Sequence, residues 1–72
     1  MNEAESLIKQ GMAKIKVEHD YEMAGRIGLS KQTFSRRLKK PETFTYTEIS
    51  ALAKQFHWTD SELGFFVRQI GG

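Results

Sequence analysis

Lys31, Gln32, Ser35, Arg36, Lys39 and Lys40 form the one group of side chains here whose types and spacing suggest a defined chemistry. Ammonium and guanidinium groups make charge-assisted hydrogen bonds to anionic oxygens, and Arg and Gln can also grip a purine edge through two parallel hydrogen bonds. Between Met23 and Pro41 there is no Asp or Glu, while Arg26, Lys31, Arg36, Arg37, Lys39 and Lys40 are six of the chain's 11 basic residues. The positive field is therefore local, because the net charge is only +2 and Glu3, Glu5, Glu18, Asp20 and Glu22 make the first third acidic. Overall charge alone does not point to nucleic acid.

Other chemistries find little footing. Without cysteine there is no disulfide, thiolate zinc site or thiol nucleophile. His19 and His57 stand far apart with no second ligand at a metal spacing, so neither a metal nor another cofactor is expected, and no catalytic constellation marks an enzyme. Gly25-Arg26-Ile27-Gly28 matches the G-x-x-G of KH domains by letter, but that motif needs flanking strands. Gly71-Gly72 resembles the tail of ubiquitin-like modifiers, again a strand-rich fold. The first residues lack a signal peptide's basic and apolar regions, and no apolar run approaches the roughly 20 residues needed to span a bilayer, so an intracellular site is expected.

The elements that must carry the basic stretch are all helices. Seventy-two residues suffice for a single domain, 1–72, with a small core. Leu7, Ile8, Met12 and Ile15 recur at helical spacing, with Lys14 to Glu18 as a fraying end and Val17 plugging the turn. Asp20 caps or opens a second helix with Met23, Ala24 and Ile27 inward; Gly28 ends it in left-handed geometry and Leu29 folds back over that end. Ser30 caps a third helix, about Lys31 to Lys39, that stops before Pro41. At 100° per residue Phe34 and Leu38 face inward, and Gln32, Arg36 and Lys39 outward. Thr45 with Glu48, and Thr59 with Glu62, are capping boxes opening two more helices. Their inner residues are Ile49, Leu52, Ala53 and Phe56 in one, and Leu63, Phe66, Val67 and Ile70 in the other, which ends at a fraying Gly71-Gly72. No strand is expected.

At Ala24, Gly28, Leu29, Ser30, Thr33, Phe34, Ser35 and Arg36 the pattern A-x-x-x-G-h-S-x-x-T-h-S-R resembles the Cro/CI-type helix-turn-helix family, the lambda-repressor-like or XRE group. Leu38 to Thr45, then Glu48-Ile49 and Ala53-Lys54, extend the likeness to the loop and fourth helix of small phage and mobile-element regulators, covering about residues 20–66. The resemblance implies an all-α, five-helix domain with the helix-turn-helix at about residues 20–39. It also implies a double-stranded DNA-binding transcriptional regulator, a Cro-like repressor acting as a homodimer on a palindromic operator in the bacterial or phage-infected cytoplasm. Asp20 stands where many relatives place a phosphate-touching Gln, and a carboxylate there would repel that phosphate unless it turned inward as a cap. Arg37 takes an often apolar position, with Leu38 making the core contact.

A helix fits a major groove about 12 Å wide, which makes Gln32, Arg36 and Ser35 the candidate base readers. Lys31, Thr33, Lys39 and Lys40 are the candidate phosphate contacts, joined through the family likeness by Thr43, Thr45 and Tyr46 at the start of the fourth helix. Phe65 and Phe66 are neighbours and cannot both enter one core, so one of them is exposed; Trp58, Phe65, Phe66 and Ile70 form the candidate dimer surface, the alternative being a monomer that buries Trp58 and Phe66 and leaves Phe65 outside. No small-molecule ligand and no membrane are expected. The alternative reading is an antirepressor or anti-defence protein that keeps the scaffold and blocks a protein partner.

Overall fold

The computed structural model describes residues 2–71, so the expectation for Gly72 lies outside the described residues. Five α-helices follow one another: α1 (Glu3–Lys14), α2 (Asp20–Arg26), α3 (Lys31–Lys39), α4 (Tyr46–Phe56) and α5 (Asp60–Ile70), with a 3-10 turn at Pro41–Thr43. No strand occurs among the described residues, and none of their helices is long and apolar enough to cross a membrane.

Short-range hydrogen bonds set most of the boundaries. Ser30 Oγ accepts the Thr33 amide at 3.2 Å, and Thr45–Glu48 and Thr59–Glu62 form both halves of their capping boxes. Asn2 caps α1: its Oδ1 accepts the Glu5 amide at 2.7 Å, and its Nδ2 donates to Leu38 O at 2.8 Å, tying the start of α1 to the end of α3. Asp20 opens α2 without capping it. His19 holds the cap position, and the Asp20 carboxylate instead meets Lys9 Nζ on α1.

α1, α2 and α4 end in the same way. The amides of Val17, Leu29 and Trp58 each reach back five residues, to Met12, Ala24 and Ala53, at 2.8 to 3.0 Å. The preceding residues, Lys16, Gly28 and His57, have φ of 59°, 77° and 55°. This left-handed closure satisfies carbonyls that a helix end leaves bare, and the residue after it packs back on the helix. The expected fraying end of α1 is therefore an ordered turn with Val17 buried beneath it.

α1 lies at the centre, packed on α3, α4 and α5, while α2 packs on α3. Phe34, Phe66, Ile8, Met23 and Leu52 are the large side chains with no exposed surface. Gly11 permits the α1–α4 crossing, since a Cβ there would lie 2.6 Å from the Phe56 ring. From Phe56 a run of aromatic contacts passes to Trp58, Phe66 and Phe44, with centroids 5.5, 4.9 and 6.2 Å apart. Val67, expected inward, is 43% exposed, and Phe44, given no role from the sequence, is buried.

Two glycines thus behave oppositely on substitution. Gly11→Ala forces a methyl into the Phe56 ring and is expected to cost roughly 1–3 kcal/mol. Gly25→Ala, with nothing within 4 Å and a helical backbone, is expected to gain roughly 0.4–1 kcal/mol. Urea denaturation of both variants checks the signs.

The Glu62 carboxyl is held below the ordinary glutamate value of 4.5 by hydrogen bonds from the Thr59 backbone and side chain. A pKa depressed on folding stabilises the protein above the unfolded value and loses that contribution as pH falls through the folded one. Thermal melts from about pH 5 to about pH 3 should therefore fall less steeply for Glu62→Gln than for the parent.

Candidate nucleic-acid interface

The turn between α2 and α3 is set by three neighbouring residues. Gly28 supplies the positive φ, Leu29 closes the end of α2 and is partly buried on the core, and Ser30 caps α3. Phe34 and Leu38 then anchor the inner face of α3 with at most 2% exposure. With those two fixed inward, the 3.6-residue repeat turns the polar residues out.

Lys31, Gln32, Arg36, Lys39 and Lys40 are exposed, and Thr33 and Ser35 half-buried. Lys31, Gln32, Ser35 and Arg36 line one shallow depression on this face; Thr33, Arg36, Arg37, Lys39, Lys40 and Thr43 line a second. Arg36 stands between the two. Among the described residues the ion pairs are Lys9–Asp20 and Arg37–Glu48, so Lys31, Arg36, Lys39 and Lys40 keep their charge free for an anionic partner. Arg36 Nη2 donates to Thr33 Oγ1 at 3.3 Å, and Ser30 Oγ donates to the same oxygen at 3.0 Å. Thr33 keeps its own proton to donate.

The first turn of α4 adjoins this face through the 3-10 turn. Tyr46 is 85% exposed. The Thr45 amide is already bound to Glu48 Oε1 at 3.0 Å, whereas Tyr46 and Thr47 belong to the first turn, where amides lack an intrahelical acceptor. Thr45 Oγ1 accepts the Glu48 amide at 3.2 Å and retains its proton. Thr43 departs from expectation: its hydroxyl donates to Lys40 O at 2.7 Å, so that proton is not available to a phosphate.

Arg37 is turned away from the exposed cations. Its Nε lies 2.7 Å from Glu48 Oε1 without an aligned N–H, making the contact an ion pair, and its Nη1 donates to Thr43 O at 3.0 Å. The one signal in the sequence is spacing. Arg37 follows Phe34 by three residues and so borders the buried face.

The apolar surface expected at α5 divides. Phe65 is 37% exposed, and it lines a groove with Leu7, Trp58, Ser61 and Glu62. Trp58 and Ile70 are partly buried against the core. Phe66 is a correction: with no exposed surface it belongs to the core and has nothing to offer a second subunit. His19 stacks on Tyr21 with centroids 5.3 Å apart, and no group of three metal-ligating side chains occurs among the described residues.

No protein-family model, curated protein or solved structure matches this chain. The Ser30 cap gives the interface a direct check of local stability. Ser30→Ala should cost about 1 kcal/mol in denaturation, with Ser30→Asp restoring most of it.

Proposed function

We propose that this protein is a sequence-specific regulator of transcription that binds double-stranded DNA, a Cro-like repressor that lays α3 in the major groove of a palindromic operator. The observation that carries this reading is the exposed, acid-free face of α3, on which Lys31, Gln32, Arg36 and Lys39 stand around a helix held from behind by Phe34 and Leu38. A supporting observation is the tight α2–α3 turn at Gly28, which agrees with the sequence resemblance to the Cro/CI-type family.

Gln32 and Arg36, flanked by Ser35, read base edges in this scheme. Arg pairs best with guanine and Gln with adenine, each through two hydrogen bonds. Lys31, Lys39 and Lys40 neutralise phosphates, while Thr33, Thr45 and Tyr46 add neutral donors; these contacts fix register and carry no sequence information. Trp58, Phe65 and Ile70 supply the surface on which two copies meet, so that paired α3 helices reach major grooves about 34 Å apart. The site of action is the bacterial cytoplasm.

Selection from a randomised duplex pool at near-physiological salt, run with the parent and Arg36→Ala in parallel, tests the reading. The parent should enrich a two-fold-symmetric motif. Arg36→Ala should lose about 1–3 kcal/mol and relax one base position, whereas Lys39→Ala should weaken all duplexes alike and reduce the salt slope by about 0.9. Equal losses on every sequence for both variants would remove Arg36 as a reader. Absence of any enrichment would favour a protein-blocking role for the same scaffold.

A further inference from the structure

The cations of α3 and its C-cap fall into two sets. Lys31, Arg36, Lys39 and Lys40 are exposed and, among the described residues, outside any ion pair, whereas Arg37 is half-buried and engaged at two points. One arm of its guanidinium meets the Glu48 carboxylate at 2.7 Å, and another donates to Thr43 O at 3.0 Å. Glu48 Oε1 also accepts the Thr45 amide at 3.0 Å, and Thr43 Oγ1 donates to Lys40 O at 2.7 Å. One planar group thus joins the end of α3, the 3-10 turn and the first turn of α4. A lysine could not do the same, because its single ammonium lacks the fixed fork that reaches two acceptors at once.

The placement matters because proposed phosphate contacts lie on both sides of this joint, Lys39 and Lys40 before it and Thr45 and Tyr46 after it. Glu48 without a partner would also set a negative charge beside that surface. We infer that Arg37 is a positioning residue of the DNA interface: it touches no phosphate, and instead holds the first turn of α4 at a set distance from the exposed cations of α3. This inference rests on the DNA-binding reading above, and it takes Arg37 out of the charge that the face offers to DNA.

The test compares the parent, Glu48→Gln and the double variant Arg37→Met/Glu48→Gln, which exchanges a charged pair for a neutral one and keeps an acceptor for the Thr45 amide. Each is titrated with the selected duplex and a scrambled duplex over a salt series, and amide hydrogen exchange is followed at Thr43 and Phe44. These two amides bond Lys40 O and Pro41 O at 2.9 and 3.1 Å within the turn. The double variant should melt within a few degrees of the parent, bind both duplexes about tenfold more weakly, and keep the parental salt slope. Its Thr43 and Phe44 amides should exchange faster while those of Ile8 and Phe66 do not change. Glu48→Gln alone, which leaves Arg37 both acceptors, should bind at least as tightly as the parent.

A salt slope lower by about 0.9 in the double variant would make Arg37 itself a phosphate contact and overturn the inference. Parental affinity in that variant would overturn it too. Failure of the parent to bind any duplex overturns the DNA reading; unchanged exchange at Thr43 and Phe44 overturns the clamp independently of DNA.

Discussion

Two helices can cross closely only where the side chain between them is small, and in this protein that place is Gly11. The Phe56 ring of α4 occupies the space a Cβ would take. That contact brings α4 against α1, and α1 in turn supports α3 and α5. Glycine inside a helix costs about 1 kcal/mol relative to alanine. Here the cost is offset by the burial of an aromatic ring at the centre of the molecule.

From that crossing the architecture runs outward along aromatic side chains. Phe56, Trp58, Phe66 and Phe44 touch in sequence, so the packing at α1 is carried to the 3-10 turn between α3 and α4. Arg37 and Glu48 take over at the edge of the core, where a hydrocarbon contact gives way to an ion pair. The polar face of α3 is thus backed by a rigid framework on two sides. Asn2 adds a third restraint through Leu38 O. Such backing limits how far the exposed cations can drift from a shared geometry.

Much of this was legible in the sequence where the controlling interaction is local. Ser30, Thr45 with Glu48, and Thr59 with Glu62 each act within three residues, and Gly28 and Pro41 act on their own backbone. The spacing of Phe34 and Leu38 likewise determined which face of α3 is outward. What stayed hidden depends on contacts between distant segments. Phe44 is buried because Phe66 lies across from it, Asp20 turns to Lys9 instead of capping, and Asn2 reaches the end of α3. The adjacency of Phe65 and Phe66 required one of them to face out, but only the register of α5 against the core decides which. Thr43 is a similar case, since its hydroxyl is spent on a carbonyl of the preceding turn.

Three helices close their own C-termini through a backbone bond to the fifth residue back, and this has a bearing on the order in which the molecule assembles. Such a closure needs no distant partner, and the chain between α2 and α3 is only four residues long. Joining segments that near in sequence carries little loop entropy, and its timescale is set by diffusion over tens of nanoseconds or so. The contact of α1 with α5 must instead bring together ends separated by most of the chain. Loop entropy therefore favours forming the α2–α3 unit, with its exposed cations, ahead of the aromatic end of the molecule.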